Sequence, residues 1–187
     1  MPAYPPLYLL RHGQTDWNRE GRIQGQTNSE LTETGRGHAR RQGEILAGLD
    51  LSEATRAYCS PARRTRQTAG LAGLRPVFDD RLKEVFLGGW EGHLRTDLEA
   101  RYPEVFAGRS VFQTCLMSDG ETEADLRVRL GAFLDDLAGP AVVVSHGIAL
   151  TFLRGIVLGA SLDEMDAMGR EQGVVVELRD GREVTHR

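Results

Sequence analysis

Two histidines in this chain stand at the ends of apolar runs, and each is followed by glycine. Leu7–Leu10 leads into Arg11-His12-Gly13, and Ala141–Val144 leads into Ser145-His146-Gly147. A third run, Ala57–Cys59, leads into Ser60-Pro61-Ala62-Arg63-Arg64-Thr65-Arg66. Between them lies "RLKEVFLGGWEG", residues 81–92, with the carboxylates Glu84 and Glu91. Brought together, these stretches offer two imidazoles, two or three guanidiniums and a carboxyl group. That set suits a phosphate. Guanidinium forks donate paired hydrogen bonds to phosphoryl oxygens, a neutral imidazole can attack phosphorus, and a carboxyl group can protonate a leaving alcohol. Metal chemistry is the rival, but no Asp cluster, His-Glu-x-x-His or Asp-rich loop supplies ligands at a metal spacing. Taken singly, each residue has an ordinary reading. His146 fits a satisfied core histidine, Arg63, Arg64 and Arg66 fit an exposed charged helix face, and Glu84 fits any surface acid. The argument rests on their co-occurrence.

For these residues to meet, the runs that carry them must end at one edge of a common sheet. Leu7–Leu10 and Ala141–Ser145 read as buried strands, and Ala57–Ser60 and Val77–Phe78 as further short strands. A loop to about Leu31 follows the first of them. Thr32 is a candidate N-cap for a helix reaching about Leu49, with Gly35, Ala39, Gly43 and Leu46 as a small-residue stripe suited to close packing against a sheet. Pro61 sits where a helix can begin. Residues 86–120 are the least regular part, with short helices expected near 94–106. Thr122 and Asp125 resemble a capping box before the apolar face Leu126, Leu130, Phe133, Leu134 and Leu137, and Gly139-Pro140 marks a stop. A helix follows His146 and ends near Gly159. "VVVELRDGREVTH" reads as a strand, an Asp180-Gly181 turn and an edge strand. Strands alternating with helices predict an α/β domain whose mainly parallel sheet is covered on both faces, and such sheets bind ligands beyond the carboxyl ends of their strands.

Composition bounds the function. The 187 residues carry a formal net charge of −4, so no broad basic field invites nucleic acid. Only Lys83 among the 23 basic residues is lysine, which leaves arginine to do any phosphate gripping. Cys59 and Cys115 make neither a disulfide framework nor a zinc site, and Cys59 reads as core. "MPAYPPLYLL" lacks the pattern of a secretory signal, and no apolar run approaches a membrane span. A cytoplasmic protein is expected, as monomer or homodimer, with no membrane or nucleic-acid partner.

The chain resembles the histidine phosphatase superfamily, the phosphoglycerate-mutase-like proteins, through "LLRHGQTDWN", "GRIQGQTNSELTETGRGHA", "SPARRTRQTA", "LKEVFLGGWEG", "DGETEADLRVRL" and "VVVSHG". These span residues 7–147 in the family's order. In character it is most similar to the small broad-specificity phosphatase members. The resemblance implies a three-layer α/β/α sandwich with a mainly parallel mixed sheet, a single domain over 1–187, and a variable lid-like segment at about 92–120. It implies His12 as nucleophile, with Arg11, Arg64 and His146 as phosphate-pocket partners and Gly147 beside them. The family arginine falls five positions into "SPARRTRQTA", which selects Arg64 over Arg63. Asn18 and Gln24 look like contributors to the pocket and its entrance. Glu84 matches the family's proton donor, and Glu91 does not align with it. The chain departs from the family at "NSELT" (residues 28–32) and "SDGET" (residues 118–122), at the loop rim and at a helix entrance.

The expected activity is that of a metal-independent, acid-type phosphomonoester hydrolase needing no cofactor. It acts on a small phosphorylated metabolite through a covalent phosphohistidine. His12 must then be neutral, with a hydrogen bond to its other nitrogen, for which the Gly13 carbonyl is available. The neighbouring cations disfavour its protonation. His146 is expected to add a donor and charge at the phosphoryl oxygens. Glu84 must carry a proton for the first half-reaction or take one from the substrate. Three alternatives stand. A cofactor-dependent phosphoglycerate mutase would need extra cations, and residues 92–120 hold only Arg95, Arg101 and Arg109 beside Phe106, Phe112, Leu116 and Met117. A catalytically weak regulatory or binding member should have lost a site residue. A phosphohistidine protein phosphatase has less use for Glu84, since an imidazole leaves easily.

Overall fold

In the computed structural model, which describes residues 4–187, the chain runs β1 (Leu7–Arg11), α1 (Asp16–Glu20), α2 (Glu33–Ala47), β2 (Arg56–Cys59), α3 (Arg63–Leu71), β3 (Val77–Phe78), α4 (Arg95–Arg101), α5 (Pro103–Phe106), α6 (Val111–Cys115), α7 (Glu123–Asp135), β4 (Ala141–Ser145), α8 (Gly147–Leu158), α9 (Leu162–Ala167), β5 (Val175–Arg179) and β6 (Arg182–His186). Short 3₁₀ turns at Asp80–Leu82 and Gly88–Trp90 lie between β3 and α4. The first three residues of the stretch read above for a signal lie outside the described residues. No described helix is long and apolar enough to cross a membrane.

The strands form one sheet in the order β3-β2-β4-β1-β5-β6. β1, β2, β3 and β4 are parallel, whereas β5 and β6 join antiparallel at one side. Alternation along β1 builds both layers. Leu7 and Leu9 face the core shared with Leu126, Leu130 and Phe133 of α7 and Phe152 and Leu153 of α8. Tyr8 and Leu10 face the core shared with Leu46 of α2 and Ala69 of α3. β4 divides the same way, with Val143 on the first side and Val142 and Val144 on the second. The three-layer α/β reading with a mainly parallel mixed sheet therefore holds.

Register does the positioning. Arg11 pairs with Ser145 and Cys59 with Val144, so β1, β4 and β2 end level with one another. His12, His146 and Ser60, each one residue further on, emerge at the same edge.

Several boundaries differ from the sequence reading. The loop after β1 contains α1, closed at its start by a capping box between Thr15 and Asn18 and at its end by Gly21 in the left-handed region (φ 72°). α2 stops at Ala47, two residues short of Leu49. α3 begins at Arg63, two residues after Pro61, where Asn28 Oδ1 accepts from the Arg63 N–H. That is the role of one position in the atypical "NSELT" stretch. α7 opens on the expected Thr122–Asp125 box but ends at Asp135, ahead of Gly139-Pro140. α9, with its Ser161–Glu164 capping box, was not foreseen. The two glycines of the α2 stripe meet loop and helix, since a Cβ on Gly35 would overlap the Gln14 carbonyl and one on Gly43 would crowd Ala72 just past α3, while Leu46 packs on the sheet with Tyr8 and Leu10.

Candidate active site

At the carboxyl edge of the sheet a cavity of about 420 Å³ is lined by Arg11, His12, Asn18, Gln24, Arg64, Glu84 and Gly147, among others. His12 is held from four sides. Its N–H donates to the Ser145 carbonyl (3.0 Å), extending the β1–β4 ladder by one bond. Its own carbonyl accepts from Gln172 Nε2 (3.0 Å). Gly13 N–H donates to Thr68 Oγ1 of α3 (3.1 Å). The ring Nδ1–H donates to the Gly13 carbonyl (2.8 Å), since that oxygen can only accept. The tautomer is thereby set, and Nε2 keeps its lone pair. Burial, then the Arg64 and Arg11 charges, hold the His12 pKa well below the ordinary histidine value. Gly13 is needed for close approach, because a Cβ there would overlap the Gly35 carbonyl; its φ is not positive.

Arg64 is only 1% exposed. Its fork lies across two main-chain carbonyls, Nη2 on Gly25 (2.6 Å) and Nη1 on Thr27 (2.7 Å). Nε donates to Nδ1 of His146 (3.1 Å). The loop carrying those carbonyls is stapled by Glu91, whose carboxylate accepts from Gln26 N–H (2.8 Å), Thr27 N–H (3.1 Å) and Thr27 Oγ1–H (2.6 Å). Glu91, set aside as unaligned with the proton donor, positions the arginine cradle. Burial pulls the Arg64 pKa down to about 10, which still leaves it charged. Arg63, by contrast, reaches outward to Glu30.

His146 lies beneath the cavity. Nδ1 accepts from Arg64, so Nε2 carries the proton and donates to Ser60 Oγ (2.8 Å). The ring is fully buried, sits edge-on to His12 with centroids 5.3 Å apart, and does not line the cavity. Burial, then Arg64, His12 and Arg11, hold its pKa well below the ordinary value. So placed, the ring braces Arg64 from beneath the cavity.

Arg11 projects from the end of β1 with one guanidinium nitrogen on the Arg170 carbonyl, while its Nε–H is buried with no acceptor among the described residues. An orphaned guanidinium donor at a strand exit is a group an anion would satisfy. Gln24 has a similar vacancy. Its Nε2 contacts Thr15 Oγ1, and its Oε1 is buried without a partner. Thr15 Oγ1 also accepts from the Asn18 N–H. Turning the Gln24 amide over would let Oε1 take the Thr15 proton and face the NH₂ to the vacancy as a donor. Asn18 lines the cavity but spends its Oδ1 on Thr15 N–H (3.2 Å) and Gln172 Nε2 (3.2 Å).

Glu84 lies over the first turn of α8. Oε1 accepts from the N–H groups of Val85 (3.0 Å) and Ala149 (3.0 Å), and Oε2 from Ile148 (3.2 Å). Every protein group that touches the carboxyl is thus a donor, at a helix terminus that favours negative charge. The backbone around it is fixed from behind. Arg129 of α7 donates to the carbonyls of Arg81 (2.6 Å), Lys83 (2.9 Å) and Glu84 (3.3 Å) and pairs with Glu121, and Ser145 Oγ donates to the Leu82 carbonyl (2.7 Å).

The sheet edge therefore brings Arg11, His12, Arg64 and Glu84 to one cavity, with Asn18, Gln24 and Gly147 in its wall and His146 beneath. Sequence reasoning missed Arg129, Gln172 and Arg170. Arg129 could have been noticed as an arginine three positions after Leu126, beside the apolar stripe of its helix. Arg170 and Gln172 lie in an irregular loop with no such signal.

These elements and this site define a phosphate-handling α/β enzyme with a buried histidine at a strand exit. The chain belongs to the histidine phosphatase superfamily (branch 1), whose family model matches residues 7–185. Among its relatives are a probable phosphoglycerate mutase, GpmB, of Enterobacter sp. (strain 638), 36% identical over 165 residues covering 82% of this chain and 74% of that one. Another is a glucosyl-3-phosphoglycerate phosphatase of Mycobacterium tuberculosis, 29% identical over 181 residues, 87% of this chain and 79% of that one. The solved structure of the M. tuberculosis open reading frame Rv3214 superposes with a TM-score of 0.81 at 29% identity, over 98% of this chain and 96% of that one.

Proposed function

We propose that the chain is a metal-independent phosphomonoester hydrolase that works through a phosphohistidine on Nε2 of His12. The observation that carries this reading is the His12 Nδ1–H···O=C bond to Gly13, which leaves a buried lone pair facing the cavity beside two guanidiniums. Among the described residues neither Arg11 nor Arg64 has a carboxylate partner within ion-pair distance, and no group of three or more His, Cys, Asp or Glu could hold a metal ion.

Charge bookkeeping names the ionic form of the substrate. Arg11 and Arg64 supply two positive charges, the Glu84 carboxylate one negative, and both imidazoles are neutral. The net single positive charge matches a phosphomonoester monoanion, which brings its own proton. That proton passes to Glu84 as the ester binds. Nε2 of His12 then attacks phosphorus, the ester P–O bond breaks, and the departing oxygen takes the proton from Glu84. The Gly13 carbonyl stabilises the charge that grows on the imidazole, and Arg11 and Arg64 hold the equatorial oxygens in line. In the second half Glu84 removes a proton from water. The hydroxide oxygen bonds to phosphorus, the P–N electron pair returns to Nε2, and Glu84 passes its proton to the departing phosphate, which restores the carboxylate.

A mutase reading is weaker on the same geometry, because the cavity offers no unpaired cation beyond Arg11 and Arg64 for a second phosphate. The test is rapid alkaline quench of the enzyme with radiolabelled phosphomonoester, followed by peptide mapping. Label on the His12 peptide, stable in alkali and lost in acid, is expected; label that persists in His12→Ala would overturn the assignment.

A further inference from the structure

Besides the phosphate-handling residues the same cavity has a wall of different character. Trp17, Ile23, Leu87, Trp90, Phe106 and Val111 form it, the Trp90 and Phe106 rings packing with centroids 5.4 Å apart. Leu87, Trp90 and Phe106 belong to the buried core, so this wall is rigid, and half-exposed Val111 marks its mouth.

The cations that share the wall are already paired. Arg22 pairs with Glu20 and donates to the Gly92 carbonyl, Arg95 pairs with Glu99, and Arg170 pairs with Asp166 and donates to the carbonyls of Met165, Asp166 and Met168. Thr114 Oγ1 donates to the Ser110 carbonyl, and Asn18 Oδ1 already accepts two bonds. A glycerate brought here would find no unpaired cation for its carboxylate, and a sugar would leave water for a wall that is largely apolar. Buried polar groups left without partners cost more than an apolar group of the same shape.

We propose that this apolar wall frames a subsite for an uncharged, apolar alcohol moiety, aromatic or aliphatic, so that the preferred substrates are hydrophobic phosphomonoesters rather than sugar or phosphoglycerate esters. The inference rests on the phosphatase reading above and adds its substrate class.

The experiment compares kcat/KM for ethyl, butyl and hexyl phosphate with glycerol 1-phosphate and 3-phosphoglycerate. All have aliphatic alcohol leaving groups, so leaving-group chemistry differs little across the set. The alkyl series is expected to rise about two- to fourfold per added methylene, with hexyl phosphate at least tenfold above glycerol phosphate. Val111→Asp should flatten the series, and competitive inhibition by inorganic phosphate, which fills only the inner end, reports whether the variant is folded. A flat series, or turnover of 3-phosphoglycerate equal to or better than that of hexyl phosphate, overturns the subsite. Absence of turnover on every ester, p-nitrophenyl phosphate included, overturns the phosphatase reading instead. In that event calorimetric binding of the same alkyl series decides the subsite, a chain-length-independent Kd counting against it.

Discussion

Nε of Arg64 donates to Nδ1 of His146 at 3.1 Å, so the imidazole supports the arginine from beneath. Removing the imidazole leaves a buried N–H unpaired and frees Arg64 to swing on its two carbonyl contacts. His146→Ala is expected to lower kcat about 10²–10³-fold, the loss typical of one misplaced charge-stabilising donor. His146→Asn, whose Oδ1 can stand where Nδ1 was, should recover about tenfold of it. Steady-state kinetics across pH checks this. Equal losses in Ala and Asn, with a shifted pH profile, would show that His146 contacts the phosphoryl group directly.

Stability should fall on acidification, and both buried imidazoles drive it. Folded His12 and His146 have pKa values well below ordinary, chiefly because burial disfavours their charged forms. Below about pH 6.5 the unfolded chain takes up both protons while the folded chain does not. Their contribution is therefore complete above about pH 6.5 and is lost as the pH falls toward the folded values, at about 1.4 kcal/mol per pH unit for each histidine. Denaturant melts of the native chain and of His12→Asn between pH 4.5 and 7.5 measure the slope. The variant should lose about half of it, and an unchanged slope would rule out a neutral buried His12.

If the substrate enters as the monoanion, the alkaline limb of kcat/KM belongs to the substrate. Phosphomonoesters lose their second proton near pH 6, so activity should decline above that value. Replacing an alkyl ester by an electron-poor aryl phosphate, with a lower second pKa, should move the limb down by the same interval. A limb that stays in place for all esters would assign the titration to the protein.

Much of this was legible in the chain because strand exits are written as abrupt changes of residue type. Arg11-His12-Gly13 and Ser145-His146-Gly147 follow apolar runs too short to be anything but strands, and a parallel pairing of those runs is enough to bring both histidines to one edge. What the sequence could not carry was direction. Whether His146 points into the cavity or under it depends on Ser60 and Arg64, 86 and 82 positions away. Nothing in the chain declares the role of Glu91, because its partners, Gln26 and Thr27, sit in a loop with no periodicity to read. α1 and α9, with five and six residues, are too short for an apolar stripe to declare them, and only their capping boxes announce them.

Glu84→Gln separates the acid role from a structural one. The amide keeps the shape but places an NH₂ among backbone donors, so a modest stability cost of about 1–3 kcal/mol accompanies it. In the burst of alcohol release, which reports phosphorylation of His12 alone, alkyl esters should slow about 10²–10⁴-fold. p-Nitrophenyl phosphate, whose leaving group needs no proton, should slow less than tenfold. Equal loss on both classes would show that Glu84 serves only to cap α8.

The Gly13–Gly35 contact can be tested by a single methyl group. Gly13 has an ordinary negative-φ backbone, so alanine there is not strained by conformation; its whole cost is the overlap of Cβ with the Gly35 carbonyl. Main chain cannot rotate away as a side chain does, so the loop after His12 must move off α2. Gly13→Ala is expected to cost about 1–3 kcal/mol, a fall in Tm of about 2–4 °C per kcal/mol for a chain of this size. It should also reduce kcat, because the carbonyl that fixes the His12 tautomer moves with the loop. Gly37→Ala, on the exposed face of the same helix with nothing near its Cβ position, should instead raise Tm, since alanine favours a helix interior by about 1 kcal/mol over glycine. Scanning calorimetry of the two variants checks both signs, and a Gly13→Ala protein with native Tm and native kcat would show that α2 does not hold the nucleophile loop.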